Sequence, residues 1–459
     1  MGPSSWKPDV FRRLVGAGMN AVRINSAHGT IADYNRVVKL ARLYGVPVIM
    51  DIKGPELRIR VHQGLGIRAG ETRTVHFSDS NGLFFSHDIR SKLRVGDALF
   101  IADGAVQARV VEITSSFARL KFRHALSISS SKNVTVPGRR LLLPSLSPHD
   151  EWVLEFVKRH HVSFVALSYA EKRSDIDNVR KKVGSNVSII AKIESARGVD
   201  RLDEIAGAAD GVMIARGSLG VELPLARVPV VQKQIIQKVR PLGKFVITAT
   251  QMLESMVNAD TPTRAEASDV ANAVFDGSDA LMLSAETATG NFPVQAVSTM
   301  AEISRVNELF ASVAPIPKNP NDLSDALTHS LVELCRGTRV KAVISLTQEG
   351  STAMRLARFH LLQPVIALTS NARVVHRLAL FFGVEARKAY INGPHRVLKA
   401  MRFALHEKLL SINDIVVFTG GLHTLQSHTS NLIELHRAAD LLSYAKKTRQ
   451  LKTSPSKRL

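Results

Sequence analysis

The sequence has one cysteine, few aromatic residues and no long apolar run. Cys335 is the single cysteine among 459 residues, which excludes an intrachain disulfide and a cysteine-rich zinc site. No apolar run approaches the roughly 20 residues that a membrane helix requires, so we expect no membrane association. The amino end, MGPSSWKPDVFRRL, has no apolar signal-peptide core, and Trp6 stands where a myristoylation signal needs Ser or Thr. These absences predict a cytoplasmic protein.

Acidic residues are also scarce, because 40 Asp and Glu oppose 61 Lys and Arg, giving a net charge of +21. Such an excess can indicate nucleic-acid binding, but aromatic residues make up only 5% and the chain has no basic helix, zinc finger or RNP-type motif. We therefore expect no nucleic-acid partner. Positive charge also attracts phosphorylated metabolites. Part of the excess lies in residues 446–459, a basic tail that we predict to be disordered.

The chain divides by its patterns into several domains. Between residues 57 and 141, β-branched residues alternate with polar ones and are broken by Gly turns, which predicts a small all-β domain. On either side, residues 1–56 and 142–317 alternate strands with helices. We count seven strands, so a TIM-type (β/α)8 barrel would have its remaining strand ahead of Gly2. Residues 318–445 repeat the alternation and predict a small open parallel sheet with helices on both faces.

The segment 188–224 carries the strongest signal for chemistry. It contains two buried strands, SIIAKIE and GVMIARG, each ending in polar residues. Side chains two apart on a strand share a face, so Lys192 and Glu194 are expected to point into one cavity at the carboxyl edge of the sheet. Glu194 can hold a divalent metal, and Lys192 can stabilise negative charge on a substrate oxygen. Gly217 and Gly220 let the backbone approach a ligand, and the N–H groups of the following helix suit an anion.

Paired polar residues recur at the ends of other strands. A structural ion pair is the plain alternative for any single pair, but recurrence at one sheet edge favours a shared catalytic cavity. The further pairs are Arg23 and Asn25, Asp51 and Lys53, Thr248 and Thr250, and Ser284 and Glu286.

Several stretches are specific enough to indicate a family: IIAKIESARGVDRLDEI, GVMIARGSLGVELP, VITATQMLESM, PTRAEASDVANAVFDGSDALMLSAETATG, DIKGPELR and TSNLIELHR. With them the chain resembles the pyruvate kinase family along essentially its whole length. The resemblance implies a barrel domain, an inserted β-barrel lid domain and a carboxyl-terminal regulatory or assembly domain, usually in a homotetramer. It also implies the last step of glycolysis, transfer of a phosphoryl group from phosphoenolpyruvate to ADP to give pyruvate and ATP, with Mg²⁺ or Mn²⁺ and often K⁺.

The resemblance further implies catalytic and substrate-binding residues. Lys192 matches the lysine that stabilises the phosphoryl transition state and the enolate. Arg23 matches the arginine that holds the transferred phosphoryl group. Thr250 matches the threonine near the carbon that is protonated after transfer. The backbone N–H groups of Gly217 and Ser218 would hold the substrate carboxylate.

Other matches concern the nucleotide and the divalent metal. Asn25 and His28 lie in the phosphate-side motif, and Arg58 matches an arginine near the nucleotide phosphates. Glu194 matches a divalent-metal ligand. The family pattern ARGDLG has a second carboxylate where this chain has Ser218. Mg²⁺ often uses only one or two carboxylates, so Glu194 with substrate oxygens, or with a hydroxyl or water at Ser218, can still hold the ion. We therefore expect weakened metal affinity and slower turnover, and not complete loss of activity.

The monovalent-cation site also departs from the family pattern. The family ligands Asn, Ser, Asp and Thr are here Asn25, Ala27, Asp51 and Ile52. Ala27 has no side-chain oxygen, and Ile52 offers only its backbone carbonyl. Glu56, a residue associated with K⁺ dependence, is retained, so the signals conflict. We expect weak or absent K⁺ activation.

The amino end also departs from the family pattern. Family members begin with a strand that resembles KTKIVxTIGPSS, and only GPSS of it remains here. A barrel without that strand exposes two unpaired edges, so a start codon assigned too late is the simplest hypothesis.

Three functional hypotheses stay open. The first is an active pyruvate kinase. The second is a catalytically degenerate relative that binds ligand as a sensor or assembly partner. The third is a barrel carbon–carbon lyase acting on pyruvate-like acids, which would not need the lid, Arg23 or Arg58. The loop 347–351 is a candidate phosphate-binding turn, where Glu349 argues against a sugar bisphosphate.

Overall fold

The computed structural model describes residues 1–54, 56–102, 104–139, 141, 143–311, 315–319, 321–421 and 430–444. The predicted basic tail at 446–459 lies outside the described residues. In the first barrel segment, apolar strands alternate with amphipathic helices as the sequence predicts. Its elements are α1 (Pro8–Gly16), β1 (Val22–Asn25), α2 (Ile31–Leu43) and β2 (Val48–Ile52).

The inserted segment is all-β in the residues that the structure describes, apart from a 3-10 turn at Arg90–Lys92. Seven of its strands form a closed barrel in the order β11-β3-β6-β5-β9-β8-β7, and β4 pairs with β10. The barrel encloses an apolar core of its own. The strands are β3 (Arg58–Arg60), β4 (Leu65–Ile67), β5 (Thr72–His76), β6 (Leu83–Phe85), β7 (Ala98–Ile101), β8 (Val106–Ile113), β9 (Phe117–Phe122), β10 (Leu126–Ile128) and β11 (Ser131–Thr135).

The α/β alternation then resumes. Helix α3 begins with Pro at its first position and a capping box between Ser147 and Asp150, which satisfies backbone donors that a helix start leaves unpaired. The elements are α3 (Pro148–Arg159), β12 (Phe164–Leu167), α4 (Arg173–Val183), β13 (Ser188–Ile193), α5 (Ala196–Asp200), α6 (Leu202–Ala208), β14 (Gly211–Ala215), α7 (Arg216–Glu222), α8 (Val228–Val239), β15 (Phe245–Ala249), α9 (Arg264–Phe275), β16 (Ala280–Met282), α10 (Ala285–Ala288) and α11 (Pro293–Glu308).

Seven parallel strands form the barrel sheet, in the order β1-β2-β12-β13-β14-β15-β16. In the part of the chain that the structure describes, β1 and β16 are the outer strands, and a cavity of about 1210 Å³ lies between them. Because all neighbours run parallel, the carboxyl ends of the strands meet at one edge. The barrel-type architecture is therefore as predicted, while a strand ahead of Gly2 stays a prediction.

The carboxyl-terminal domain is a five-stranded sheet in the order β19-β18-β17-β20-β21. The last strand runs antiparallel to β20, whereas the sequence predicted a parallel sheet. Its burial alternates weakly, as in an edge strand with one face exposed. The elements are α12 (Leu323–Gly337), β17 (Ala342–Leu346), α13 (Ser351–Ala357), β18 (Val365–Thr369), α14 (Ala372–Leu378), β19 (Val384–Lys388), α15 (Arg396–His406), β20 (Ile415–Gly420) and β21 (Leu432–Arg437).

One apolar core joins the barrel to the carboxyl-terminal domain. Residues of both, such as Phe164 and Leu331, belong to the same buried cluster. At the junction the rings of Phe245 and Phe381 pack edge to face with centroids 5.3 Å apart. No helix in the described ranges combines the length and the apolar character needed to cross a membrane.

The predicted strand pair of Ser284 and Glu286 is wrong. The sequence placed Ser284 and Glu286 on one strand face, but β16 ends at Met282. Ser284 instead precedes the short helix α10, and the Glu286 carboxylate accepts hydrogen bonds from the N–H groups of Ser284 (2.6 Å) and Leu253 (3.2 Å). Glu286 therefore ties two loops together and does not line a strand face.

Candidate active site

Four charged side chains from the carboxyl ends of three strands, β1, β2 and β13, meet at one edge of the sheet. Arg23 on β1 donates through Nε to Oδ2 of Asp51 on β2 at 2.7 Å. Lys192 on β13 places Nζ 3.2 Å from Asp51 Oδ1 and 3.2 Å from Glu194 Oε1. Asp51, Lys192 and Glu194 are buried, and Arg23 is partly buried. We call these four residues the charged network. The predicted shared face of Lys192 and Glu194 is what the structure shows.

The neighbouring charges hold Asp51 and Lys192 in their ionised forms. Burial would raise the pKa of Asp51, but Arg23 and Lys192 beside it outweigh burial and hold that pKa below its ordinary value. Burial would likewise lower the pKa of Lys192, but the carboxylates of Asp51 and Glu194 outweigh it and raise that pKa. Lys192 therefore remains a cation at neutral pH although it is buried.

Ser168 also belongs to this site, although the sequence analysis missed it. Its hydroxyl accepts a hydrogen bond from Lys192 Nζ at 2.7 Å and lies 3.4 Å from Asp51 Oδ1. It directly follows the buried strand β12. Its place at the carboxyl end of a barrel strand is a usable sequence signal, although Ser168 has no polar partner two residues away on the strand.

The metal candidate Glu194 reaches from β13 towards helix α7. Its Oε2 accepts the N–H of Tyr169 at 2.8 Å, and the Ser218 hydroxyl lies 3.4 Å from Oε1. Among the described residues no group of three or more His, Cys, Asp or Glu side chains could hold a metal. One carboxylate with one hydroxyl fits a Mg²⁺ ion that takes its other ligands from substrate oxygens and water.

Gly217 and Thr250 are in direct contact. The Gly217 N–H donates to Thr250 Oγ1 at 2.8 Å, and that hydroxyl donates to the Ala249 carbonyl at 2.6 Å. The Gly217 N–H, which we expected to be open to an anion, is thus already bonded within the protein. Thr248, the predicted partner of Thr250 on one strand face, bonds instead to Ser278 Oγ at 2.7 Å. The reason is that β15 ends at Ala249, so Thr250 lies beyond the strand. We call Gly217, Ser218 and Thr250 the neutral group.

The predicted nucleotide residues lie on two parts of the structure. Asn25 Oδ1 accepts the N–H of Ala27 at 3.0 Å, and the His28 N–H donates to the Asn25 carbonyl at 3.1 Å, so this turn is built at the end of β1. Arg58 belongs to the insert, where it pairs with Glu56 at 2.8 Å.

Lys53 connects these two parts. Its backbone N–H donates to Oδ1 of the buried Asp150 at 3.0 Å, which fixes the chain just beyond β2. Burial, followed by the nearby charge of Arg58, lowers the pKa of Lys53. Arg58 and Lys53 therefore bring positive charge from the insert and from the barrel to one region.

The predicted K⁺ ligands are largely engaged by protein groups. Both oxygens of Asp51 contact cations of the charged network, and the Ile52 carbonyl accepts the Ser168 N–H at 3.3 Å. Asn25 Oδ1 holds the turn described above, and Ala27 has no side-chain oxygen to offer. This donor set fits a monovalent cation poorly, so weak K⁺ activation stays our prediction.

Comparison with known proteins identifies the family. A family model for the barrel domain of pyruvate kinase matches residues 1–297, and a model for its alpha/beta domain matches residues 325–436. The pyruvate kinase of Sporosarcina psychrophila is 35% identical over 96% of this chain and 80% of the relative. Those of Clostridium perfringens and Eimeria tenella are 33% and 34% identical, over 95% of this chain in each case and over 98% and 87% of the relatives. The resemblance predicted from the sequence is confirmed, and the chain belongs to the pyruvate kinase family of phosphotransferases.

Proposed function

We propose that this chain transfers a phosphoryl group from phosphoenolpyruvate to ADP, giving pyruvate and ATP, with weakened affinity for its divalent metal. The observation that carries the proposal is the continuous charged network at the carboxyl edge of the barrel. Phosphoryl transfer needs mainly positioning and charge neutralisation, and two cations held by two carboxylates supply both.

Each member of the charged network has a separate task. Arg23 binds the phosphoryl group that is transferred. Lys192 stabilises the charge that develops on the phosphoryl group and on the enolate oxygen, because its ammonium is already desolvated and oriented by Asp51 and Ser168. Asp51 bridges the two cations and sets the distance between them.

Glu194, with Ser218 beside it, would hold the divalent ion. Bound Mg²⁺ supplies Lewis-acid neutralisation of the substrate oxygens. Glu194 also accepts the Tyr169 N–H, so its carboxylate is oriented before any ion arrives. With Ser218 in place of a second carboxylate, fewer negative charges face the ion, and we expect a higher half-saturating Mg²⁺ concentration.

The neutral group would receive the other end of the substrate. The substrate carboxylate binds the N–H groups of Gly217 and Ser218 and takes over the bond that Thr250 Oγ1 now accepts. The Thr250 hydroxyl is then released towards the enolate carbon, where a proton is delivered after transfer. Substrate binding and the positioning of Thr250 are coupled in this scheme.

The remaining assignments follow the family. Asn25, His28 and Arg58 contact the phosphates of ADP or ATP, with Lys53 adding positive charge nearby. The protein assembles as a homotetramer and works in the cytoplasm.

A coupled assay for ATP formation from phosphoenolpyruvate and ADP, with Mg²⁺ titrated, tests the proposal. We expect turnover in the wild type, and we expect Ser218→Asp to lower the half-saturating Mg²⁺ concentration about tenfold, which is about 1.4 kcal/mol. Ser218→Asn is the matched control, because it has the shape of Asp without the charge, and it should leave Mg²⁺ affinity unchanged.

The same assay decides between the proposal and its alternative. The replacement at Ser218 favours a degenerate relative that binds ligand without turnover. If the wild type forms no ATP and Ser218→Asp restores formation, that alternative is correct. If neither protein forms ATP while both decarboxylate or cleave a pyruvate-like acid, the lyase hypothesis replaces both.

A further inference from the structure

Two consecutive residues beyond β15 have a left-handed backbone. Thr250 has φ of 71° and Gln251 has φ of 52°, and neither is glycine. A β-branched residue in this region is a genuine outlier, because its Cβ crowds the backbone. Such a conformation persists only where the surrounding structure fixes it, and it is frequent at functional sites.

The guanidinium of Arg216 binds this turn at several points. Nη2 donates to the carbonyl oxygens of Thr250 (2.9 Å) and Gln251 (3.0 Å). Nη1 donates to Oδ1 of Asp269 on α9 at 2.8 Å, and Nη2 lies 2.7 Å from the other oxygen of that carboxylate. The Arg216 side chain is only 9% exposed. One planar cation therefore connects both left-handed residues to a helix.

We call the contacts of Arg216 with Asp269 and with the carbonyls of Thr250 and Gln251 the clamp. The clamp contacts the neutral group through Thr250. Arg216 is the first residue of α7, so Gly217 and Ser218 follow it in the chain. The Gly217 N–H in turn bonds to Thr250 Oγ1 at 2.8 Å. The start of α7 and the turn after β15 are thus joined twice, once through the Arg216 side chain and once through the Gly217 backbone.

We propose that Arg216 is a positioning residue, which holds Thr250 and Gln251 in the left-handed conformation that aims the Thr250 hydroxyl at the Gly217 N–H. It acts through Thr250 and does not itself contact substrate. Its catalytic consequence rests on the proposed function, because only there does Thr250 face the carbon that receives a proton. The backbone consequence does not depend on that function.

Arg216→Lys tests the clamp, because lysine keeps the charge and loses the planar fork that reaches a carboxylate and two carbonyls together. We expect kcat to fall about a hundredfold, the effect of displacing a reacting group by about 1 Å, while the half-saturating Mg²⁺ concentration stays unchanged. Arg173→Lys is the matched control, because Arg173 pairs with Asp177 on an exposed face at 3.4 Å, and it should match the wild type.

Rescue separates this role from general stability. Glycine adopts a positive φ without strain, so Gln251→Gly should recover at least tenfold of the kcat lost in Arg216→Lys. Asp269→Asn removes the anchor but leaves Arg216 in place, and it should lower kcat less, in the same direction. An unchanged kcat in Arg216→Lys, or a double variant as slow as the single one, would overturn the proposal.

A second readout does not need activity. The N–H groups of Gly217 and Leu253 bond to Thr250 and to Glu286, on either side of the turn. Their amide hydrogen exchange should therefore be at least tenfold faster in Arg216→Lys than in the wild type. In the double variant Arg216→Lys, Gln251→Gly, exchange should be slower than in Arg216→Lys alone. Exchange at wild-type rates would refute the clamp. A wild type without ATP formation would refute the proposed function and leave this measurement to decide the clamp alone.

Discussion

The two halves of the site are held together by different forces. The charged network consists of charged side chains on strands or directly after one, each within 3.2 Å of an opposite charge. The neutral group has no charged side chain of its own, and its geometry comes from the Gly217 N–H bond to Thr250 Oγ1 and from a left-handed turn that Arg216 binds. Removing a partner from the first half leaves a buried charge uncompensated, which costs roughly 3–5 kcal/mol. Removing one hydrogen bond from the second costs roughly 1 kcal/mol. The halves should therefore respond very differently to substitution.

The largest effect is expected for Lys192→Met. The substitution removes the cation between Asp51 and Glu194, so kcat should fall about a thousandfold and the free energy of unfolding should drop by about 3 kcal/mol. The coupled assay and denaturant unfolding measure the two changes. Lys182→Met is the control, because Lys182 pairs with Glu151 at 2.8 Å on an exposed face and should change stability by less than about 1 kcal/mol. A Lys192→Met protein that keeps a tenth of wild-type kcat would mean that Lys192 is only structural.

A smaller effect is expected for Asp51→Asn, which keeps the shape of the bridge and removes its charge. Lys192 retains Glu194, so we expect kcat to fall about a hundredfold and stability to fall by about 2 kcal/mol at pH 7. The pKa of Asp51 is lowered in the folded protein, so its stabilising contribution is complete above the unfolded pKa of about 4 and is lost as the pH falls below it.

Unfolding measured along a pH series checks the sign of this effect. The gap in stability between wild type and Asp51→Asn should narrow as the pH falls below about 4. Asp177→Asn, in an exposed pair with Arg173, is the control and should show no gap. A gap that widens in acid would mean that the carboxyl of Asp51 is protonated in the folded protein.

The difference between the halves also explains what the sequence could predict. The period of two along a strand placed Lys192 and Glu194 on one face, and parallel strand order brought Arg23 and Asp51 to the same edge. The same rule failed for Thr250, because a turn begins where the pattern still suggests strand. Periodicity reports which face a residue takes within an element. It says nothing about the residue at which the element stops.

Hydrogen bonds between residues far apart in the chain could not be predicted from the sequence, for a different reason. The strand pattern gives the order of elements, and it predicted the barrel, the insert and the second α/β domain. The hydrogen bonds of Arg216 to Asp269 and of Glu286 to Leu253 join residues that are more than 30 positions apart in loops and short helices. Such contacts depend on side-chain reach across loops, for which no local pattern exists.

Thr250→Val tests the neutral group with a smaller expected loss of stability. Valine keeps the shape of threonine and removes the hydroxyl that the Gly217 N–H now uses. We expect kcat to fall about a hundredfold, as in Arg216→Lys, because both variants remove the positioned hydroxyl. Stability should fall by only about 1 kcal/mol, because one backbone donor loses its partner. Thr248→Val is the control, since Thr248 bonds to Ser278 away from Gly217 and should lower stability without lowering kcat. Equal loss of kcat in both variants would show that β15 is sensitive as a whole.

The smallest effect on kcat is expected at Glu222, which ends α7 and lies outside the neutral group. Burial, and then the nearby carboxylate of Glu171, raises the pKa of Glu222 to about 7, although the Ala196 N–H opposes the rise. Arg197 lies 3.3 Å from Glu171 and offsets part of its charge. Because the folded pKa exceeds the unfolded value, the folded form binds more protons between pH 4.5 and 7, and stability falls as the pH rises through that window.

Glu222→Gln should therefore raise the melting temperature at pH 8 by a few degrees, on the order of 2 kcal/mol, and should change it little at pH 5, where Glu222 is already protonated in the folded protein. Thermal unfolding at the two pH values measures this. Glu204→Gln is the matched control, because Glu204 lies in an exposed pair with Arg201 at 3.2 Å and should show no difference between the two pH values. A gain in Glu222→Gln that is equal at pH 5 and pH 8 would mean that the amide improves packing and that the carboxyl of Glu222 does not titrate there. A gain confined to pH 8 would establish that the ionised carboxylate of Glu222 destabilises α7. The charges of the charged network, in contrast, are compensated by their partners.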